Sequence, residues 1–299
     1  MRIKHIPVLL DQSIDQLITD PNGIYVDCTF GRGGHSRKIL ERLSDKGKLI
    51  AFDLDNEAME ESKSIKKKNF QFHKTNFSQI GNFFEDDSLM GVLIDCGVSS
   101  PQLDEPGRGF SFQKDGPLDM RFNKDQELTC SDIIENYSEK ELSEILWKLG
   151  EEEESRRIAK FIVKRREVKR FENTTDLANL IELAKRKRTK KHSATKSFQA
   201  LRMAVNSELE NLSKCLEVLK TKLKRSGKLV VISFHSLEDR IAKQTFKTQP
   251  NLVEKKIPIF NDITQEKFTV SKVLLATDDE ISMNPRSRSA KMRLIAVSY

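Results

Sequence analysis

The sequence contains neither closely spaced cysteines nor a long apolar run. Its four cysteines, Cys28, Cys96, Cys130 and Cys215, lie far apart, so the CxxC spacing of zinc ribbons and thioredoxin-like sites does not occur. No apolar stretch reaches the length of a bilayer-spanning helix, and the first residues lack the apolar run of a signal peptide. These absences predict a soluble cytoplasmic protein with no membrane partner and no metal site.

An excess of positive charge is present but small. The chain of 299 residues has 52 Lys and Arg against 45 Asp and Glu, which gives a net charge of +7. Such an excess permits a polyanionic partner without requiring one. The densest basic run, residues 185–196, contains seven Lys or Arg and no acidic residue. It predicts either a solvated helix end or a surface that contacts nucleic-acid phosphates.

Short apolar strands alternate with helical segments in the first third of the chain and return near its end. Helices are predicted at residues 36–43 and 56–68. Strands are predicted at residues 24–28, 48–53, 70–74, 91–96, 228–234, 270–276 and 292–298. Strands that alternate with helices are typical of a parallel sheet with right-handed crossovers.

Helical patterns dominate between residues 131 and 225, where almost no strand pattern is found. Apolar residues repeat at spacings of three and four from Leu201 to Leu223, which predicts one long amphipathic helix. We therefore predict an α/β domain formed by residues 1–125 and 215–299. An inserted helical domain of residues 126–214 interrupts it.

A glycine-rich turn, VDCTFGRGGHS, follows the first predicted strand. Gly31, Gly33 and Gly34 let the backbone pass close to a ligand at the carboxyl end of that strand. Asp53 ends the next strand, where a carboxylate can accept hydrogen bonds from ribose hydroxyls. The GxGG spacing does not meet the GxGxxG fingerprint of dinucleotide sites, and two closing strands suit a methyltransferase sheet whose last strand is antiparallel. S-adenosylmethionine is therefore the predicted cofactor, ahead of NAD.

A polar connection, residues 95–122, follows the strand at 91–96. It is rich in Gly, Pro, Ser and Asp, and it lies where the catalytic loop of an α/β enzyme lies. A long structural connection to the helical insertion is the alternative interpretation. The number of polar groups in the connection favours the catalytic one.

Seven segments resemble the bacterial MraW (RsmH) family. They are HIPVLL, VDCTFGRGGHS, residues 95–122, SRRIAKFIVKR, ATKSFQALRMAVNSEL, VISFHSLEDRIAK and NPRSRSAKMR, in family order from His5 to Arg293. That family has a class I, Rossmann-like methyltransferase sheet with an inserted all-helical domain. It methylates the N4 amine of a cytidine in the decoding region of 16S rRNA.

The resemblance implies an S-adenosylmethionine-dependent rRNA (cytosine-N4-)-methyltransferase. Its partner would be 16S rRNA or the small ribosomal subunit. The resemblance does not decide whether the chain forms a homodimer. Two other functions also stay open: a DNA amino-methyltransferase with the same cofactor site, and a non-catalytic RNA-binding assembly protein with this fold.

The resemblance also implies a set of cofactor-binding residues. They are Gly33, Gly34, His35, Asp53, Phe77, Asp95 and Gln102. Transfer to an exocyclic amine requires groups that orient the amine and accept its proton. Asp95 is the first candidate acceptor, ahead of Ser100 and its neighbour Ser99. Methylation at carbon 5 would instead need a cysteine thiolate, and Cys96 would face away from a ligand that Asp95 faces.

RNA contacts are predicted in two basic segments. The residues are Lys187, Arg188, Lys190 and Lys191 in the insertion, and Arg286 and Arg288 before the last strand, where Lys291 is a similar candidate. His235 follows the strand at 228–234, where its ring would contact a base or phosphate or make a structural hydrogen bond.

Overall fold

The computed structural model describes residues 7–186, 192–247 and 267–298, and the chain divides into two compact units. The sheet unit comprises Met1–Gly97 and Leu209–Tyr299, and the helical unit comprises Val98–Glu208. None of the helices within the described ranges is long and apolar enough to cross a membrane.

The strands and helices follow in chain order. The strands are β1 (Ile24–Asp27), β2 (Lys48–Asp53), β3 (Phe70–Lys74), β4 (Leu89–Asp95), β5 (Leu223–Ser233), β6 (Lys267–Val270), β7 (Leu274–Leu275) and β8 (Lys291–Ser298). The helices are α1 (Leu10–Leu17), α2 (Gly34–Arg42), α3 (Asn56–Ser62), α4 (Ser100–Asp104), α5 (Cys130–Asn136), α6 (Glu139–Gly150), α7 (Ser155–Val168), α8 (Thr174–Ala184), α9 (Thr195–Val205), α10 (Glu208–Lys222), α11 (Ser236–Thr245) and α12 (Asp278–Met283).

The sheet has the order β3-β2-β1-β4-β5-β8-β6, with β7 paired to β8. Strands β1 to β5 pair in parallel with one another, whereas β8 runs antiparallel to β5. This topology confirms the predicted α/β class with an antiparallel last strand. The chain moves outward from β1 to β3 and then returns to β4 on the other side of β1. Ligands of open α/β sheets bind beyond the carboxyl ends of the strands at such a switch point.

Apolar layers cover both faces of the sheet. Successive residues of one strand belong to different clusters: Val92 packs in one layer and Leu93 in the other. This pattern explains why β4 is an almost continuous apolar run, because a central parallel strand is buried on both faces. The helical unit has its own core, to which Ile133, Leu146 and Ile158 belong.

The boundaries of the two units differ from those that the sequence pattern placed at residues 126 and 214. Residues 98–122 belong to the helical unit, and Phe110, Leu118 and Met120 from this segment lie in its core. A connection with this composition looks like a surface loop, but its three apolar side chains are almost completely buried.

Three element predictions were wrong. The single long helix at 201–223 is broken between α9 and α10, where Ser207 has a φ of 48° and the Asn206 amide donates to the Met120 carbonyl over 2.8 Å. The helix predicted at 56–68 ends at Ser62. The strand predicted at 270–276 is two short pieces, β6 and β7.

Candidate active site

The glycine-rich turn joins β1 to α2 in a conformation that only small residues permit. Gly33 precedes α2 with a φ of 71°, in the left-handed region that favours glycine. A Cβ on Gly34 would lie 2.2 Å from Cγ of Pro7, so the chain before α1 covers the start of α2 closely. Gly33 is therefore required by its backbone conformation, and Gly34 by the close approach of Pro7.

Asp53 supports this turn. Its Oδ2 accepts the Gly31 amide at 2.7 Å and its Oδ1 accepts the Asp55 amide at 2.9 Å. Burial raises the pKa of this carboxyl, and the amide hydrogen bonds oppose that rise. A carboxylate has about four acceptor sites, so Asp53 can hold the turn and still accept from another donor. Phe77 begins a short 3-10 turn after β3 and packs against the core of the sheet unit.

Three carboxyl groups lie at the carboxyl ends of the adjacent strands β1, β4 and β5. Asp27 is the last residue of β1, Asp95 is the last residue of β4, and Glu238 lies on the first turn of α11, just after β5. Asp27 is fully buried and Glu238 is 2% exposed. None of the three has a Lys or Arg partner within the described ranges.

Asp27 is held inside the sheet by local donors. The Ser36 hydroxyl donates to its Oδ2 at 2.7 Å, and the Thr29 amide donates to its Oδ1 at 3.1 Å. Burial nevertheless raises the pKa of Asp27 to about 6, and the nearby Asp53 charge adds to the rise. For Asp27, the cost of desolvating the carboxylate therefore exceeds the stabilisation that its two neutral hydrogen-bond donors provide.

Asp95 is perturbed both by burial and by neighbouring charges. Burial raises its pKa well above the ordinary value, and the charges of Asp27 and Glu238 raise it further. Its Oδ1 is buried and has no hydrogen-bond partner among the described residues, while its Oδ2 lies 3.8 Å from Nδ1 of His35. About a quarter of the side chain, 24%, remains exposed. Asp95 can therefore meet a ligand and take up a proton.

His35 presents its ring to Asp95 in a defined tautomer. Its Nε2 lies 3.2 Å from the carbonyl oxygen of Val8, which can only accept, so this nitrogen carries the proton. The other ring nitrogen, Nδ1, is the one that faces Asp95. The structure thus brings His35, Asp53 and Asp95, all predicted from the sequence, together around the glycine-rich turn. Phe77 lies in the same unit.

Asp27 and Glu238 are site residues that the sequence prediction missed. An acidic residue at the end of an apolar strand, as in IYVD, was the available signal for Asp27. For Glu238 the signal was weaker, because a glutamate three residues into a helix looks like an ordinary capping residue.

The connection 95–122 is mainly structural beyond its first residues. Arg108 is 1% exposed and donates to the carbonyls of Arg121 and Phe122 at 3.0 and 3.3 Å. Arg121 in turn is paired with Asp119 at 2.8 Å. These contacts join residues within the segment and stabilise its folded path, so the number of polar groups does not indicate catalysis.

Ser99, Ser100 and Gln102 lie at the start of α4 in the helical unit. Oε1 of Gln102 accepts the Ser99 amide at 2.9 Å, which is a helix-capping contact. Ser100 is the first residue of the helix. Their assignment to the site therefore still depends on the family resemblance.

The predicted RNA-binding residues fall into two groups. Lys187, Arg188, Lys190 and Lys191 lie outside the described residues. Arg286 and Arg288 are exposed on the 3-10 turn Pro285–Ser289, directly before β8. Because Lys291 pairs with Ser233, this turn lies at the same edge of the sheet as the carboxyl ends of β4 and β5.

The fold and this set of groups define a class I methyltransferase: an α/β sheet with a glycine-rich turn after β1, an acid after β2 and an antiparallel last strand. Residues 2–298 match the sequence profile of the MraW methylase family, and the chain belongs to that family. Methyltransferases of this class take their methyl group from S-adenosylmethionine, so the cofactor prediction is confirmed.

Curated relatives agree with this assignment over nearly their whole length. The protein of Caldicellulosiruptor saccharolyticus is 46% identical over 97% of this chain and 98% of its own. That of Fusobacterium nucleatum is 44% identical over 97% and 96%. Both are named ribosomal RNA small subunit methyltransferase H.

Proposed function

We propose that this methyltransferase transfers a methyl group from S-adenosylmethionine to the N4 amine of a cytidine in the decoding region of small-subunit rRNA. The names of its relatives support small-subunit rRNA as the substrate. The N4 position rests on the family resemblance and on the chemistry of Asp95.

The residues of the sheet unit fit the cofactor. S-adenosylmethionine carries a sulfonium and an ammonium charge. The unit buries Asp27 and Glu238 and partly buries Asp95, and none of the three has a Lys or Arg partner among the described residues. Gly33, Gly34 and His35 would hold it along the turn, and Asp53 would accept from its ribose hydroxyls. Phe77, Asp95 and Gln102 complete the proposed set.

One observation carries the choice of an amine substrate: Asp95 has a buried oxygen with no partner among the described residues and a raised pKa. An exocyclic amine of cytosine is a poor nucleophile that must lose a proton during methylation. The bound cofactor supplies an electrophilic methyl group. Asp95 would accept a hydrogen bond from the amine, orient it, and take the proton in a site shielded from water. Ser99 and Ser100 stay second candidates for that hydrogen bond.

The position of Cys96 argues against methylation at carbon 5. Cys96 packs against the apolar core of the sheet unit, in the same cluster as Cys28 and Cys215. Successive side chains of a strand point to opposite faces, so a ligand that meets Asp95 is not within reach of the Cys96 thiol that attack on the ring would require. Substitution of Cys96 by Ala is therefore expected to preserve methyl transfer.

The test is to incubate the protein with isotope-labelled S-adenosylmethionine and small ribosomal subunits, free small-subunit rRNA, or duplex DNA. Digestion and mass mapping are expected to find N4-methylcytidine at one position of the rRNA. Label in DNA alone would favour a DNA amino-methyltransferase. Cofactor binding without any label would favour the assembly protein, and label on carbon 5 would contradict the role of Asp95.

A further inference from the structure

The motif SFHSLEDR contains a buried pair of side chains that the cofactor site does not require. His235 directly precedes α11, and Glu238 lies one turn into it. The two side chains are 12% and 3% exposed, and Nε2 of His235 lies 3.0 Å from Oε1 of Glu238, without the alignment of a hydrogen bond. Oε2 of Glu238 accepts the Phe234 amide at 2.8 Å.

The tautomer of His235 follows from its second nitrogen. Nδ1 accepts the Glu238 amide at the start of α11, so the proton lies on Nε2, which is the nitrogen beside Oε1 of Glu238. The Glu238 carboxylate is thus held on one oxygen by the Phe234 amide and faced on the other by an N–H group. Its position is fixed more tightly than capping of the helix alone requires.

Glu238 lies beside the end of the strand next to Asp95, because its Oε2 accepts the amide of Phe234, the residue that directly follows β5. β4 and β5 are hydrogen-bonded neighbours, with Asp95 opposite Ile232, and the Cys96 amide donates to the Ile232 carbonyl at 2.9 Å. Glu238 is one of two acids whose charges oppose ionisation of Asp95. The adjacent acid on α11, Asp239, is different, because Arg293 donates to both of its oxygens at 2.5 and 3.1 Å.

We propose that Glu238, held by His235 and the Phe234 amide, is a positioning residue that keeps Asp95 a strong proton acceptor. The proposal rests on the proposed function. Nδ1 of His35 from α2 lies 3.8 Å from Asp95, and the Thr29 hydroxyl accepts the backbone amide of Asp95. The charges that act on Asp95 are those of Asp27 from β1 and Glu238 from α11. During methyl transfer the N–H bond of the amine breaks, its electron pair stays on nitrogen, and the proton passes to an Asp95 oxygen.

Two substitutions separate the charge of Glu238 from its capping contact. Glu238→Gln keeps an oxygen for the Phe234 amide and removes the charge, whereas Glu238→Asp keeps the charge and shortens the reach. The titration of Asp95 is followed in the ligand-free protein by carbon-13 NMR of labelled aspartate carboxyls, and its signal is assigned by its disappearance in Asp95→Asn. In parallel, the single-turnover rate on small-subunit rRNA is measured against pH.

Glu238→Gln is expected to lower the Asp95 midpoint by roughly one pH unit, because a like charge is removed. The rising limb of the rate profile should move to lower pH by the same amount, and the plateau rate should fall because Asp95 is then a weaker base. Glu238→Asp should keep the wild-type midpoint. Asp239→Asn is the matched control on the same turn of α11, since the charges that act on Asp95 are those of Asp27 and Glu238, and it should leave the Asp95 midpoint unchanged.

Equal Asp95 midpoints in the wild type and Glu238→Gln would overturn the proposal. A shifted midpoint with an unshifted rate profile would also overturn it, because Asp95 would not then be the acceptor. Failure of the proposed function would be seen separately, because the NMR titration needs no rRNA. It tests the effect of Glu238 on Asp95 even in a protein that does not methylate rRNA.

Discussion

The sheet unit and the helical unit bury charged groups in opposite ways. The helical unit pairs them: Lys185 and Glu152, 7% and 2% exposed, meet at 2.8 Å, and Arg202 donates to both oxygens of Glu208 at 2.8 and 2.9 Å. The sheet unit buries Asp27 and Glu238 and partly buries Asp95, and no Lys or Arg pairs with them within the described ranges.

This contrast separates groups that support the fold from groups available for chemistry. A buried pair has satisfied its charges, so its removal damages the unit that contains it. A buried acid without a counter-charge raises the free energy of the folded state, and such groups cluster where a ligand or a proton completes them. The unpaired carboxyls lie at the switch point of the sheet, where the fold places its ligand.

Glu152→Ala should have the largest effect on stability. It leaves the Lys185 ammonium buried without its partner, which typically costs about 3–5 kcal/mol. Denaturant unfolding followed by circular dichroism should show this decrease. Glu144→Ala is the control: Glu144 pairs with Lys148 on the same unit, but the side chains are 47% and 66% exposed, so the change should stay within about 0.5 kcal/mol.

Equal decreases in the two variants would mean that burial does not make the Lys185–Glu152 pair more important to the helical unit than the exposed pair. Lys185 also lies 3.4 Å from the Ser193 carbonyl. A small effect of Glu152→Ala would mean that this carbonyl is a sufficient partner for the ammonium.

Asp27→Asn should have the opposite sign. The folded pKa of Asp27, about 6, lies above the ordinary value of 3.8, so the folded state binds the extra proton between these pH values. Stability therefore rises as pH falls through 6 towards 4, and at pH 7 the ionised group costs about 3 kcal/mol. Asn keeps an oxygen for the Thr29 amide and removes the charge.

The measurement is the free energy of unfolding of both proteins from pH 4 to 8. The variant should be the more stable one at pH 7, and the difference should shrink at low pH, where Asp27 is protonated. A difference that does not depend on pH would mean that the pKa of Asp27 is not raised in the folded protein.

The same contrast explains what the sequence could predict. The ranges of β2 and β3 and the positions of Asp53 and Asp95 at strand ends follow from local patterns: an apolar run, a turn and a polar residue at a strand end. Whether a charge is paired does not follow from such patterns. Arg108 looked like a member of a catalytic loop and donates to backbone carbonyls, while Glu238 looked like a helix cap and is a buried acid without a Lys or Arg partner among the described residues.

The break between α9 and α10 was also beyond local patterns. Apolar spacing continues across it, and only the hydrogen bonds of Asn206 to the distant residues Met120 and Phe122, at 2.8 and 2.7 Å, give it a cause. Contacts between residues more than 80 positions apart leave no periodic signal.

The smallest expected effect concerns exposed charge, which neither unit buries. Arg286 and Arg288 lie on the turn before β8, at the same sheet edge as Asp95, and we propose that they contact RNA phosphates. Arg286→Ala combined with Arg288→Ala should flatten the salt dependence of rRNA binding, by about 0.7–0.9 in slope for each phosphate that is no longer neutralised. Cofactor affinity, measured by calorimetry, should stay the same.

Lys46→Ala with Lys48→Ala removes the same charge at the start of β2, at the opposite edge, and should leave the slope unchanged. Equal slopes in both double variants would mean that only net charge matters, and the RNA surface would then have to be sought in the basic run of the insertion.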